Sequence, residues 1–216
     1  MNPTKCLAAL FDFDGVVMDT EPQYTEFWNN QGSLYFPDIE NFGQKIKGNT
    51  LFHIFEKYLP NNPKVRERLT ADIAAFESQM RYEYVPGLET FMKELREKGV
   101  KIAIVTSSDN QKMGNVYRAH PEIHTMVDKI LTADSFTYSK PHPECFLLGA
   151  ELLGTVPENC VVFEDSFNGL AAGNAAGMKV VGLSTTNSAE AIQDKADVVI
   201  PDFMNFSYEK MMDLLK

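Results

Sequence analysis

Cysteine is scarce: Cys6, Cys145 and Cys160 are the only three in 216 residues, and no two are spaced as a metal or redox pair. That excludes a disulfide framework and a Cys-based zinc site, and the thiols read as reduced packing residues of a cytosolic protein. Also missing is any apolar stretch near the ~18 residues of a membrane span, or a charged-then-apolar leader at the N-terminus. The expected location is cytoplasmic, with no membrane partner. Positive charge is short as well, with 20 Lys+Arg against 30 Asp+Glu and a formal net charge of -10. A field of that sign repels nucleic-acid phosphates, so no nucleic acid is expected as a partner. It repels phosphorylated metabolites equally, so any such ligand needs a cation supplied locally. Histidine is sparse, and His53, His120, His124 and His142 form no convincing metal pair.

What remains is an ordinary globular chain, 44% hydrophobic and 23% charged, long enough for one domain with an inserted module. Short apolar runs recur at Cys6–Asp12, Lys101–Thr106, Cys160–Glu164, Lys179–Leu183 and Asp197–Ile200, most of them separated by helical patterns. Leu88–Lys98 stops at Gly99 and Ser166–Ala176 at Gly177, as helices do. Strands alternating with helices predict a parallel sheet covered on both faces, with ligands beyond the carboxyl ends of the strands. The alternation lapses between Thr20 and Tyr84. There Glu21–Asn30, Leu51–Tyr58 and Lys64–Tyr82 read as helices, broken at Gly32, Pro37, Gly48 and Pro60–Pro63. The expected organisation is a core of residues 1–15 and 86–216 with a helical cap of residues 16–85. Val85-Pro86-Gly87 is the expected return hinge.

Polar groups follow several of the apolar runs. Phe11-Asp12-Phe13-Asp14-Gly15 places two carboxylates one residue apart at a strand end, where side chains alternate and so share a side. Paired carboxylates repel unless a cation neutralises them or one keeps a proton, and both remedies suit phosphoryl transfer. A bare D-x-D is more often a turn with solvated acids. Glu164-Asp165 adds carboxylates that suit a hard cation. Thr106-Ser107-Ser108 adds hydroxyls, and Lys140, among prolines in Ser139-Lys140-Pro141-His142-Pro143, adds the local cation that the acidic background demands.

These four segments together resemble the haloacid dehalogenase-like superfamily: F-D-F-D-G-V-V-M-D-T, V-T-S-S, K-P-H-P-E-C-F and F-E-D-S-F-N-G-L-A-A-G-N-A-A-G-M. Within it the chain is similar to the branch of β-phosphoglucomutase and related sugar-phosphate phosphatases. The resemblance implies an α/β fold, a Rossmann-like parallel-sheet core with an inserted α-helical cap. It makes Asp12 the nucleophile and Asp14 the general acid and base, with Thr106 and Lys140 holding the phosphoryl group. Asp165 and Glu164 would bind Mg2+ with the Asp12 carboxylate and the Asp14 backbone carbonyl. Ser107 and the cap loop Lys47-Gly48-Asn49-Thr50 would touch substrate. The partner implied is a small phosphorylated metabolite, and the chain is expected as a monomer or weak homodimer.

The presence of Asp14 argues against the dehalogenase and phosphonate-hydrolysing relatives, which lack this acid. A β-phosphoglucomutase is the rival. Where that branch carries a His, an Arg and a Lys, this chain has Tyr24, Leu51 and Asp109, which weakens a second phosphate site and favours hydrolysis. A non-catalytic binding protein on the same scaffold is a remote alternative. Thr20 is expected to cap the helix that opens at Glu21-Pro22, and Gly169 and Gly173 to let a helix pack closely on the sheet. Phe27, Trp28 and Phe55 are expected between cap helices.

Overall fold

The computed structural model describes residues 6–216. In chain order it contains β1 (Ala8–Phe11), α1 (Glu21–Tyr35), α2 (Phe42–Lys45), α3 (Leu51–Tyr58), α4 (Pro63–Glu77), α5 (Leu88–Glu97), β2 (Lys101–Val105), α6 (Asn110–Ala119), α7 (Ile123–Met126) and β3 (Lys129–Leu131). There follow α8 (Glu144–Leu152), β4 (Cys160–Glu164), α9 (Phe167–Ala175), β5 (Lys179–Leu183), α10 (Ala189–Ile192), β6 (Val198–Ile200) and α11 (Tyr208–Leu214). Among the described residues the strands form one sheet in the order β3-β2-β1-β4-β5-β6, parallel throughout. The expected α/β parallel-sheet core is therefore what the chain builds. The order reverses between β1 and β4, which is where such sheets open a crevice.

Alternation along β1 sorts its side chains to two cores. Ala8 and Leu10 pack with Cys145, Phe146, Val162 and Leu170, beneath α8 and α9. Phe11 points to the other face, where it stacks on Phe163 at 4.4 Å and meets Phe91 of α5 and Phe203. A strand buried on both sides has no polar alternation to show, which is why β1 and β4 read as continuous apolar runs.

The two edge strands are pinned alike. Asp128, just before β3, accepts from the Ile102 amide at 2.9 Å and from Lys101 Nζ at 3.1 Å. Asp197, just before β6, accepts from the Val180 amide at 2.8 Å and from Lys179 Nζ at 2.7 Å. Lys101, Lys179 and their neighbours open β2 and β5, so each aspartate ties an edge strand to the next one in.

The chain divides into two compact units, one running to Asp19 and from Tyr82 to Lys216, the other Thr20–Arg81. The division falls four residues inside each end of the expected 16–85 cap. Met18 pairs with both Asp14 and Tyr84, and the Asp19 amide donates to Glu83 O at 2.8 Å, which keeps those residues with the sheet. Val85-Pro86-Gly87 is docked as well: Gly87 is the N-cap of α5, and Pro86 O accepts from the Phe203 amide at 2.9 Å.

The helical unit has its own core of Trp28, Phe42, Ile46, Ile54, Phe55, Leu59 and Leu69, with Phe27 packed against it. Helix α1 does not break at Gly32 but runs on to Tyr35. A Cβ at Gly32 would strike the Phe42 side chain, so this glycine lets α1 and α2 approach inside a continuous helix. Helix α4 stops at Glu77, short of the expected Tyr82. Thr20 does occupy the N-cap of α1, yet its hydroxyl makes no capping hydrogen bond.

Candidate active site

The ends of three adjacent strands assemble the site. Thr106 follows β2, Asp12 follows β1, and Glu164 ends β4 with Asp165 behind it. All four are buried, Asp12 keeping 9% exposure and Asp165 2%. Thr106 Oγ1 accepts from the Ser108 amide at 3.0 Å.

Lys140 reaches the same point from the segment before α8. Its Nζ lies 2.5 Å from Asp12 Oδ1, 2.7 Å from Glu164 Oε1 and 3.1 Å from Val105 O, which gives each ammonium hydrogen an acceptor. Burial alone would drive this lysine toward neutrality, but Asp12 and Glu164 outweigh it and hold the ammonium protonated beyond the ordinary lysine range. Burial pushes the Asp12 carboxyl up to about 7 against the pull of Lys140, with Glu164 and Asp14 adding to the rise.

Glu164 is occupied at both oxygens. Oε1 takes Lys140, while Oε2 accepts from the amides of Asp165 and Ser166, both at 2.8 Å, and from Ser166 Oγ at 3.0 Å. Ser166 in turn caps α9 by accepting from the Gly169 amide at 3.0 Å. A Cβ at Gly169 would overlap the Glu164 carboxylate, so the absent side chain there serves the buried acid rather than the expected helix–sheet packing. Gly173 keeps the expected role, since its Cβ would press on Val180 and Val162 at 3.0 and 3.2 Å.

Asp14 turns toward α6. Lys112 Nζ lies 2.6 and 2.5 Å from its two carboxylate oxygens, and Ser108 Oγ donates to Oδ2 at 3.0 Å. Gly15 makes the turn after it with φ +74°, a conformation open to glycine, and a Cβ would collide with the Asp165 carboxylate and Thr186. Asp165 Oδ2 accepts from Thr186 Oγ1 and, at 3.4 Å, from Thr185 Oγ1, while Asn187 Nδ2 donates to Asp165 O at 2.9 Å.

Asp12, Glu164 and Asp165 each present a carboxylate oxygen within 4.8 Å of the others, all buried. Lys140 alone does not balance three buried carboxylates, and an all-oxygen donor set matches a hard divalent cation such as Mg2+. The residues present therefore fit that metal.

The core thus gathers Asp12, Asp14, Thr106, Lys140, Glu164 and Asp165. Ser107 is exposed, and the neighbouring Ser108 makes the contact to Asp14. Lys47, Gly48, Asn49 and Thr50 lie in the helical unit, in the turn before α3. There Thr50 caps α3 by accepting from the His53 amide, Asn49 Nδ2 donates to Ile46 O at 3.0 Å, and Gly48 has φ +71°. Sequence reasoning counted Ser108 among the hydroxyls after β2 without its contact to Asp14, and missed Lys112 and the Thr185-Thr186-Asn187 turn. The turn follows the apolar run Lys179–Leu183, and the rule that ligands gather beyond strand ends would have reached it. Lys112 sits in the first turn of α6 behind Asp109, and nothing in its sequence neighbourhood marks it as buried.

The family model of the haloacid dehalogenase-like hydrolases matches residues 7–177. Glycerol-1-phosphate phosphohydrolase 2 of Saccharomyces cerevisiae is 32% identical, covering 91% of this chain and 82% of its own length. Hexitol phosphatase A of Escherichia coli is 29% identical over 83% of this chain and 84% of its own. A curated relative matched over 117 residues at 36% identity is much longer, and the alignment spans 11% of its length. Among solved structures, β-phosphoglucomutase from Clostridium difficile superposes with a TM-score of 0.77 at 25% identity, covering 97% of each chain. Its motifs, its sheet order and these relatives agree, and the chain belongs to the haloacid dehalogenase-like hydrolase family of enzymes, with the β-phosphoglucomutase-like branch as its place there.

Proposed function

We propose that this enzyme is a Mg2+-dependent phosphatase of a small phosphorylated sugar or sugar alcohol, working through an aspartyl phosphate on Asp12. The observation that carries the reading is the buried Lys140 ammonium 2.5 Å from Asp12 Oδ1, with a second acid, Asp14, two residues along. On this reading Asp12 is the nucleophile, Lys140 the phosphate-binding cation and Asp14 the proton carrier. The similarity to the yeast glycerol-1-phosphate phosphohydrolase and the Escherichia coli hexitol phosphatase motivates the substrate class.

Bound between Asp12, Glu164, Asp165 and the Asp14 carbonyl, Mg2+ would draw charge from the phosphoryl oxygens. Lys140 and the Thr106 hydroxyl hold the same oxygens, so the Asp12 carboxylate can approach an otherwise repelling dianion. An Asp12 oxygen forms a bond to phosphorus as the ester P–O bond breaks, and Asp14 gives its proton to the departing oxygen. Water then attacks phosphorus, Asp14 takes the water proton, and the Asp12–phosphorus bond breaks to release inorganic phosphate. Positioning and charge carry most of this chemistry, because a loose phosphoryl transition state needs little covalent assistance. Lys47, Gly48, Asn49 and Thr50 are assigned to substrate choice and Ser107 to its periphery.

Two observations favour hydrolase over mutase. Tyr24 and Asp109 stand where the mutase branch has a His and a Lys, and both are used structurally. Tyr24 OH donates to Glu77 at 2.6 Å, and Asp109 caps α6 by accepting from the Lys112 amide at 2.8 Å. The test is phosphate release from a panel of sugar, polyol and nucleotide phosphates and pyrophosphate, with Mg2+ or chelator, for wild type and Asp12→Asn. A coupled assay for conversion of β-glucose 1-phosphate to glucose 6-phosphate runs beside it. Mg2+-dependent release lost in Asp12→Asn supports the reading; efficient isomerisation with little release replaces it with the mutase.

A further inference from the structure

Lysine in the first turn of a helix opposes the helix dipole, and burying its ammonium costs desolvation as well. Lys112 does both. It sits three residues after the Asp109 cap of α6 and is only 4% exposed. Both costs need a compensating interaction, and the two close contacts to the Asp14 carboxylate, at 2.6 and 2.5 Å, supply one. The face of the Phe13 ring lies beside the same Nζ, with its centroid at 5.6 Å. Ser108 Oγ adds its own hydrogen bond to Asp14 Oδ2 at 3.0 Å.

We propose that Lys112 is a positioning residue for Asp14: it fixes the rotation of that carboxylate, and so the point from which a proton reaches the leaving oxygen. The inference rests on the reading of Asp14 as acid and base given above. Contact with both oxygens restrains the carboxylate plane, where a single hydrogen bond would leave it free to turn. The second restraint comes from Ser108, so one segment, running from β2 into α6, holds the phosphoryl-binding Thr106 and also aims the proton carrier. Lys112 keeps its own protons throughout: the proton lost to the ester oxygen comes from Asp14, and the one regained comes from the attacking water.

Leaving-group dependence tests this directly. An alkyl phosphate such as glycerol 1-phosphate needs its leaving oxygen protonated, whereas p-nitrophenolate departs unaided. Single-turnover cleavage of both esters is measured for wild type, Lys112→Met, Lys112→Arg, Asp14→Asn and the Asp14→Asn/Lys112→Met double variant. Lys112→Met should slow alkyl-ester cleavage roughly ten- to a hundredfold, part of what general acid catalysis supplies, while KM and the p-nitrophenolate burst stay within about threefold. Lys112→Arg should recover part of the loss, and in the Asp14→Asn background Lys112→Met should add nothing. Equal losses on both esters, a raised KM at unchanged kcat, or no loss on either would overturn the assignment. If Lys112→Met does not fold, the same split between esters is read from Lys112→Arg. Wild-type protein that cleaves neither ester with Mg2+ would sink the phosphatase reading and this inference together, whereas an active wild type with uniform losses sinks this inference alone.

Discussion

The Glu164 carboxylate fills the volume that a Cβ on Gly169 would need, so a glycine one turn into α9 decides where a buried acid sits. Gly169→Ala should displace that carboxylate and with it Lys140, which bonds to its Oε1 at 2.7 Å. The expected loss is about 1–3 kcal/mol in urea unfolding, from overpacking, with phosphate release down at least about tenfold. Gly173→Ala is the contrast. It presses only on Val180 and Val162, so it should cost stability while leaving turnover close to wild type.

Removing Lys140 leaves Asp12 and Glu164 buried beside each other without their shared cation. Lys140→Met should destabilise the metal-free protein by about 3–5 kcal/mol, the usual cost of breaking a buried pair on one side. The deficit should shrink as pH falls and the remaining carboxylates take up protons. Denaturant melts at pH 5 and pH 8 check this, and equal stability of variant and wild type at both would contradict it. Phosphate release should be abolished at either pH.

Metal binding should follow the Asp12 carboxyl, which burial raises to about 7. Protons compete with the metal for that oxygen, so Mg2+ affinity should fall as pH drops through about 7 and level off above it. Saturating Mg2+, at about 100 times Kd, should stabilise the fold by about 2.7 kcal/mol, read as a rise of several degrees in Tm that chelator reverses. Asp165→Asn should flatten that response, and a Tm indifferent to Mg2+ would count against a metal at this cluster.

Acid should loosen the sheet at both edges together. For Asp128 and Asp197 burial works to raise the carboxyl, but the strand amides and the lysines Lys101 and Lys179 win and hold both below the ordinary value. A lowered carboxyl contributes stability above the unfolded value, about 4, and loses it as pH falls through the folded one. Each of Asp128→Asn and Asp197→Asn should therefore cost about 1 kcal/mol at pH 7, after allowance for partial solvent exposure, and almost nothing near pH 2. Urea midpoints across pH 2–7 give the comparison, and a deficit that persists undiminished in acid would refute the ionic account.

The elements legible in sequence were those that a buried parallel sheet makes plain. Ala8–Phe11, Lys101–Val105, Cys160–Glu164 and Lys179–Leu183 are apolar because both faces are covered, and α5 and α9 end at glycines with positive φ. Strand β3 was missed because Lys129–Leu131 opens on an exposed lysine and leaves only two apolar residues, whereas the equally short β6 is apolar throughout. Gly32 was misread because packing against Phe42, not local propensity, explains it. In the site, residues borne on recognisable motifs were legible: Asp12, Asp14, Thr106, Lys140, Glu164 and Asp165. Lys112 and Thr186 were not, since each acquires its partner only through a long-range contact, 98 residues away for Lys112 and Asp14.

Where the chain leaves the sheet domain and where it comes back are fastened to each other. The Val85 amide donates to Val17 O at 3.1 Å, the Asp19 amide to Glu83 O at 2.8 Å, and His120 Nε2 lies 2.6 Å from Tyr82 O. The closure entropy of the intervening segment grows only slowly with its length. Departure and return therefore act as a splice point, at which one helical cassette can be exchanged for a longer, shorter or unrelated one without rethreading the sheet. On the proposed assignment of residues 47–50 to substrate choice, reaction chemistry and substrate preference would be separately heritable parts of one polypeptide.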